Sequence, residues 1–153
     1  MDLTATADLA AEPGRVFTEV ADLGTYPHWL GIVDGAEQTE PDAAGPAWLV
    51  DLGVQLGPLR RTKRVRMTRV QHDPPERVRF ERLEHDGRTH STWVLTATVG
   101  PAEAGSRLTV HLHYGGSRAL PLVDRILHEE VRRAGQRLED RLADAGAGGG
   151  SQG

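Results

Sequence analysis

The feature that most constrains the fold is an alternation of apolar and polar residues that repeats from residue 31 to residue 114. Because successive side chains of a β-strand point to opposite faces of a sheet, a period of two predicts strands with one buried face. Turn-forming pairs such as Gly57-Pro58 and Asp86-Gly87 divide this stretch into segments. Connections this short favour antiparallel hairpins over parallel crossovers. The predicted strands are 33–40, 47–56, 60–71, 77–85, 90–99 and 107–114.

Segments with other periodicities flank this stretch. A first strand is predicted over residues 2–9, and after Pro13 the apolar residues follow at helical spacing as far as Leu23. A second, shorter helical turn is predicted around Trp29. From residue 120 to residue 142 the apolar residues recur every three or four positions, which predicts one long amphipathic helix.

The composition is that of one globular domain. The chain of 153 residues suits a single hydrophobic core, which we place at residues 1–144, followed by a disordered Gly-rich tail at 145–153. No window approaches the roughly 20 apolar residues of a spanning helix. The N-terminus lacks the features of a secretory signal, so a cytoplasmic location is predicted. The absence of cysteine excludes disulfides and thiol nucleophiles, and we find no cofactor-binding motif.

Charge is distributed unevenly along the chain. Residues 1–59 hold ten acidic residues and one basic residue, whereas residues 60–69 hold six bases. If Val65 faces the interior, half of these bases face inward (Arg61, Lys63, Arg69) and half face solvent (Arg60, Arg64, Arg66). We expect pairing with Glu81, Glu84 and acids of the N-terminal third. One alternative is contact with an anionic membrane or an acidic protein. Another is that Lys63 or Arg61 holds a ligand carboxylate or enolate inside the cavity. The acidic chain and the lack of interleaved aromatics argue against a nucleic-acid groove.

Four stretches carry a resemblance to a known superfamily: 10–17 (AAEPGRVF), 21–30 (ADLGTYPHWL), 73–80 (DPPERVRF) and 104–110 (AGSRLTV). They resemble the opening motif and the hairpin turns of the START-like (SRPBCC) superfamily, which includes polyketide cyclases/dehydrases and lipid-transport proteins. The resemblance covers about residues 2–143. It implies an α+β helix-grip fold, in which a curved antiparallel sheet of about seven strands wraps around a long C-terminal helix, with two short helices after strand 1.

The resemblance also implies a cavity between sheet and helix that admits apolar small molecules. The residue pattern agrees in part, because a one-sided sheet and a single apolar helix face bury each other. The alternative is that the same side chains are packed as core. The predicted ligand-binding residues are Trp29, Val50, Leu52, Lys63, Met67, Phe80, Trp93, Leu95, Leu112, Tyr114 and Leu127.

Few residues suggest catalysis. Arg82 and Glu84 share a strand face with buried residues, so they are predicted at the cavity mouth, where they could act as acid and base or form a salt bridge. Tyr114 could hydrogen-bond a ligand carbonyl. His111 and His113 alternate with apolar residues and are expected to face solvent, with His90 as a third metal ligand in one register only, so no metal site is predicted.

These observations favour binding of a hydrophobic small molecule, such as a lipid, an isoprenoid or an aromatic polyketide-like compound. The first alternative is a polyketide cyclase/dehydratase-type enzyme that uses Arg82, Glu84 and Tyr114. The second is an accessory domain that binds a protein through the basic strand 60–69. No nucleic acid, metal or cofactor is expected, peripheral contact with a membrane is left open, and the chain is expected to be a monomer or homodimer.

Overall fold

In the computed structural model, which describes residues 2–115 and 121–150, one antiparallel sheet organises the chain. The elements, in chain order, are β1 (Asp2–Leu9), α1 (Pro13–Val20), a 3-10 helix (Leu23–His28), β2 (Val33–Thr39), β3 (Ala47–Leu56), β4 (Leu59–Asp73), β5 (Arg77–Arg82), β6 (Trp93–Ala102), β7 (Gly105–Tyr114) and α2 (Pro121–Gly150).

The seven strands follow the order β1-β7-β6-β5-β4-β3-β2, and every neighbouring pair is antiparallel. Consecutive strands are therefore neighbours from β2 to β7, and β1 pairs with the last strand. This curved sheet, the long C-terminal helix and the two short helices after β1 confirm the predicted α+β helix-grip fold.

Several predicted strand boundaries are wrong by one to three residues, among them the end of β6 at Ala102 instead of residue 99. Two of the largest errors lie around the β5–β6 connection. The strand predicted to end at residue 85 ends at Arg82, and the next begins at Trp93 instead of residue 90. The intervening segment leaves the sheet because its polar groups bond elsewhere: the backbone N–H of Arg88 donates to the Asp86 carboxylate at 3.0 Å, and Arg82 donates to the Ser91 carbonyl at 3.2 Å.

The two short helices close one end of the interior. Val16 and Val20 of α1 are buried, and the Asp22 carboxylate caps the 3-10 helix by accepting from the Gly24 N–H at 2.8 Å. Tyr26 and Trp29 are fully buried, with ring centroids 4.3 Å apart. The Tyr26 hydroxyl donates to the Val20 carbonyl at 2.8 Å, so its polar group is satisfied in the core.

The second half of α2 packs closely on β1. Among its described side chains Leu138 and Leu142 are buried, and so is Ala134 near the middle of the helix. Arg141 pairs with Glu19 of α1 at 2.8 Å, which ties the helix to the start of the chain. The helix extends to Gly150, whereas the composition predicted a disordered tail from residue 145. The domain boundary at residue 144 stays a prediction. No helix within the described ranges is long and apolar enough to cross a membrane.

Candidate functional site

An apolar pocket lies on the inner face of the sheet, where β3, β4, β6 and β7 face the 3-10 helix and the start of β2. The side chains that line it within the described residues are aliphatic or aromatic, together with one methionine. They are Leu23, Tyr26, Leu30, Ile32, Val33, Val50, Leu52, Val65, Met67, Trp93, Leu95 and Leu112. We call this the apolar pocket.

The apolar pocket is small. Its volume is about 30 Å³, enough for one or two water molecules, whereas sites for drug-sized ligands span roughly 300–1,000 Å³. The apolar pocket that the described residues form is therefore far smaller than the cavity that the resemblance implies. A second cavity of about 20 Å³ lies between β1, β7 and α2, and Leu30 lines both spaces. Leu30 is thus shared by the walls of both spaces.

Aromatic rings explain why so little volume remains. Trp48 packs edge-on against Phe80 with ring centroids 5.7 Å apart, and Phe80 packs edge-on against Tyr26 at 6.1 Å. Phe80 and Tyr26 are completely buried. These large rings fill the interior between the sheet and the short helices.

Six of the eleven predicted ligand-binding residues line the apolar pocket: Val50, Leu52, Met67, Trp93, Leu95 and Leu112. Phe80 and Trp29 belong to the core, although Trp29 also lines the second cavity. Tyr114 stacks on Trp93 with ring centroids 5.0 Å apart. Leu127 lies in α2, but its side chain is outside the described part of the structure.

Sequence reasoning missed the five lining residues that come from β2, the 3-10 helix and the segment between them, and it also missed Val65 of β4. Leu30 and Ile32 lie in an irregular segment, so no period of two or 3.6 marks their buried side. Val65 was expected to face inward. It pairs with Val50 of β3 and lies two residues before Met67 in β4, and both of these residues line the pocket. This position is the signal that could have added Val65 to the predicted site.

A polar cluster borders the apolar pocket. Arg82 pairs with Met67 in the β4–β5 register, so its side chain lies on the same sheet face as the lining residues. The guanidinium is only 5% exposed and donates from Nε to Glu84 Oε1 at 3.3 Å. It also donates from Nη1 to Ser91 Oγ at 3.2 Å, and its Nη2 lies 3.2 Å from His90 Nδ1. The predicted contact between Arg82 and Glu84 is therefore present.

Lys63 reaches the same cluster from β4. Its Nζ donates to Ser91 Oγ at 3.4 Å, so Lys63 and Arg82 both donate to one hydroxyl oxygen. Partial desolvation of the ammonium group and the nearby Arg82 lower the pKa of Lys63. Glu84, the nearest acid, also accepts from the Arg66 backbone N–H at 2.7 Å.

Three side chains of this cluster are of the types that bind metal ions. Side-chain atoms of Glu84, Asp86 and His90 lie within 4.8 Å of one another. Both ring nitrogens of His90 are already engaged, however, one with Arg82 and the other with Asp86 at 2.8 Å. A cation would also meet the positive guanidinium. This arrangement is a hydrogen-bonded network built around Arg82.

The other histidines considered as metal ligands lie on the outer face of the sheet. His111 Nε2 and His113 Nδ1 each lie 2.9 Å from the same Asp2 oxygen, Oδ1. The hydrogen bond with His113 and, to a smaller extent, the one with His111 lower the pKa of Asp2. His90 lies on the opposite side of the sheet, so the three histidines do not meet.

The outward bases of β4 pair with acids of the N-terminal third, as predicted. The ion pairs are Arg60–Asp34, Arg64–Asp51 at 2.8 Å and Arg66–Asp42 at 2.6 Å.

Two details of the predicted pairing are wrong. Arg66 is not at the surface, because the connection 40–46 covers it and leaves its side chain 12% exposed. Glu81 does not pair with this strand but with Arg79 at 2.7 Å. The Asp42 carboxylate under this connection also bonds Thr68 and His85, which adds to the ion pair.

The sheet order, the C-terminal helix and the apolar pocket on the inner face of the sheet define a START-like, helix-grip domain. The model of the family described as polyketide cyclase/dehydrase and lipid transport matches residues 1–143. The chain belongs to this family.

Proteins from mycobacteria are among those similar to this chain. The uncharacterized protein Rv1546 of Mycobacterium tuberculosis is 30% identical over 119 residues, which cover 75% of this chain and 76% of that protein. A protein of the same organism described as toxin Rv0910 is 26% identical over 130 residues, covering 85% and 87%. A START superfamily protein from Mycobacterium smegmatis has the same fold, with a TM-score of 0.72, 17% identity and coverage of 94% and 98%.

Proposed function

We propose that this protein binds a hydrophobic small molecule, of the lipid, isoprenoid or aromatic polyketide-like class, between the sheet and α2. The observation that carries the proposal is the apolar pocket, whose lining offers no polar side chain from β3, β4, β6 or β7. Sites of this kind take their affinity from apolar burial and their orientation from a few polar groups at the edge. The cluster around Arg82 supplies such groups.

Binding requires the interior to rearrange, because about 30 Å³ does not hold a ligand. Leu30 lines both the apolar pocket and the second cavity, so a movement of this side chain would change the volume of both. A pocket that opens in a minor conformation becomes the dominant form when a ligand fills it. We therefore expect ligand binding to be coupled to movement of Leu30 and its neighbours.

The test uses N-phenyl-1-naphthylamine, an uncharged apolar dye whose fluorescence rises in an apolar site. The purified protein is titrated directly and in competition with long-chain alcohols. We expect saturable binding at one site per chain. Leu52→Trp places a large ring at a half-buried position of the pocket wall and should abolish binding, because the ring occupies the space that the dye needs.

Leu59→Trp is the matched control. Leu59 is 61% exposed at the β3–β4 turn, far from the lining residues in the hairpin register, so the same substitution there should leave the affinity unchanged. Circular dichroism checks that both variants are folded. If the wild-type protein shows no saturable binding, or if the two variants lose it equally, the proposal fails.

A second candidate function is catalysis of the cyclase/dehydratase type. The specific observation in its favour is the buried Arg82 beside Glu84, a paired cation and carboxylate next to an apolar pocket. Such a pair could hold a reactive chain and move a proton, and positioning would supply much of the rate.

Turnover of a linear poly-β-keto thioester tests this candidate. Under the enzyme hypothesis, Arg82→Ala, Glu84→Gln and Tyr114→Phe each abolish turnover while the variants remain folded. Thr109→Ala, a substitution on the outer face of β7, is the control. Full activity in all three site variants, or no turnover by the wild-type protein, counts against catalysis at this cluster.

A further inference from the structure

We infer that the ligand carries a single anionic oxygen group, such as a carboxylate, and that Lys63, Arg82 and Ser91 bind this group at the edge of the apolar pocket. The inference rests on the proposed function and specifies its ligand: an amphipathic acid, with its apolar part inside and its charge at the rim.

The position of the two cations follows from the strand register. Lys63 pairs with Leu52 across β3 and β4, and Arg82 pairs with Met67 across β4 and β5. Leu52 and Met67 both line the apolar pocket. Directly paired residues of antiparallel strands share a face, so both cations lie beside lining residues and point to the same side as the lining.

Around the Ser91 hydroxyl the two cations Lys63 and Arg82 face one carboxylate, Glu84, whereas Asp86 is bonded to His90 and to the Arg88 backbone N–H. Arg82 is paired with Glu84, whereas within the described ranges Lys63 has no carboxylate partner and its Nζ contacts the neutral Ser91 hydroxyl. Glu84 already accepts from Arg82 and from a backbone N–H. An additional anion would therefore satisfy Lys63 without displacing an existing ion pair.

The donors also converge. Lys63 Nζ and Arg82 Nη1 lie 3.4 Å and 3.2 Å from the same atom, Ser91 Oγ. An oxygen placed beside this hydroxyl can accept hydrogen bonds from an ammonium, a guanidinium and the hydroxyl itself. Charge-assisted hydrogen bonds of this kind are about twice as strong as neutral ones.

The experiment compares two probes that differ by one anionic group. These are 1-anilinonaphthalene-8-sulfonate and its uncharged analogue N-phenyl-1-naphthylamine, each titrated with the full chain. We expect the wild-type protein to bind the sulfonate more tightly. Lys63→Met should weaken sulfonate binding about tenfold, the effect of one lost charge-assisted hydrogen bond, and leave the affinity for the uncharged probe unchanged.

Arg64→Met is the matched control, because Arg64 follows Lys63 directly but lies on the outer face with Asp51. It should change neither affinity by more than about twofold. Lys63→Met removes an exposed side chain and is expected to fold, so the test does not depend on a variant of the buried Arg82.

The outcomes separate the two proposals. If Lys63→Met weakens both probes equally or neither, or if Arg64→Met has the same effect as Lys63→Met, the anionic subsite is wrong while binding of an apolar ligand stands. If the wild-type protein binds neither probe, both proposals are wrong.

Discussion

At the residue scale, Asp42 is the acid most strongly engaged by its surroundings. Hydrogen bonds from Thr68 and Arg66 hold the pKa of this carboxyl well below its usual range, and a contact with His85 contributes further. The carboxylate is 13% exposed and lies under the connection 40–46, which it ties to the outer face of β4. Asp42 therefore anchors a polar network that is separate from the apolar pocket.

Asp42→Asn should lower the free energy of unfolding at pH 7 by about 1–2 kcal/mol, because Arg66 loses its charged partner in a nearly buried position. A lowered pKa stabilises the fold above the unfolded-state value of about 3.9, and this contribution is lost as the pH falls below it. The difference between wild type and variant should accordingly shrink between about pH 4 and pH 2. Urea unfolding at several pH values measures it.

Asp51→Asn is the control, since Asp51 pairs with Arg64 in an ion pair whose side chains are 39% and 62% exposed. Exposed pairs are screened by solvent, so this variant should unfold nearly as the wild type does. Equal destabilisation by the two substitutions would contradict the role assigned to the buried network. The same holds if the loss of unfolding free energy in Asp42→Asn is as large at pH 2 as at pH 7.

At the scale of the element, the close approach of α2 to β1 depends on a glycine. A Cβ added at Gly135 would lie 2.8 Å from the Cβ of Ala7. Neither atom can move without moving its backbone. Gly135→Ala should therefore push helix and strand apart and lower the free energy of unfolding by about 1–2 kcal/mol, despite the better helix propensity of alanine.

Gly14→Ala makes the same substitution in α1, where a Cβ has no heavy atom within 4 Å. Stability there should be unchanged or raised by up to about 1 kcal/mol. Thermal unfolding followed by circular dichroism compares the two variants. If Gly135→Ala raised the free energy of unfolding, α2 and β1 would be able to move apart at little cost, and the prediction would be wrong.

At the scale of the whole molecule, ligand binding and stability are coupled, because the proposed site is made of core side chains. A ligand at 100 times its Kd stabilises the folded state by about 2.7 kcal/mol when it does not bind the unfolded chain. For a chain of this length the Tm should rise by about 5–10 °C. We expect this rise with N-phenyl-1-naphthylamine in differential scanning calorimetry.

Leu52→Trp should remove the rise in Tm, and Leu59→Trp should keep it. A fluorescence signal without any rise in Tm would place the dye on the surface or on the unfolded chain. That result would separate adventitious dye binding from occupation of the interior.

The regular elements were predictable because their periodicity is local. The alternation in β3, β6 and β7 and the spacing in α2 each reveal the buried face within one segment of chain. Antiparallel pairing followed from the short connections, and six pocket residues followed from the faces of the strands. The ion pairs of Arg60 and Arg64 were also predictable, because acids and bases are concentrated in adjacent hairpins.

Other features depend on contacts between distant segments and left no local signal. Leu30 and Ile32 line the apolar pocket from an irregular stretch, and Arg66 is buried only because the connection 40–46 folds over it. Residues 83–85 and 90–92 were predicted as strand, yet the polar side chains of the segment between β5 and β6 bond one another and Arg82 instead.

Local periodicity thus determined the sheet, the order of its elements and the face that the long helix covers. Tertiary packing alone decided how much space remains inside, because volume depends on how Trp48, Phe80 and Tyr26 meet across three separate elements. It also decided that Lys63 and Arg82 share the Ser91 hydroxyl, since this convergence joins β4, β5 and a non-strand segment. A sequence records which side of a strand a residue takes, whereas distances between strands arise only when the whole chain is packed.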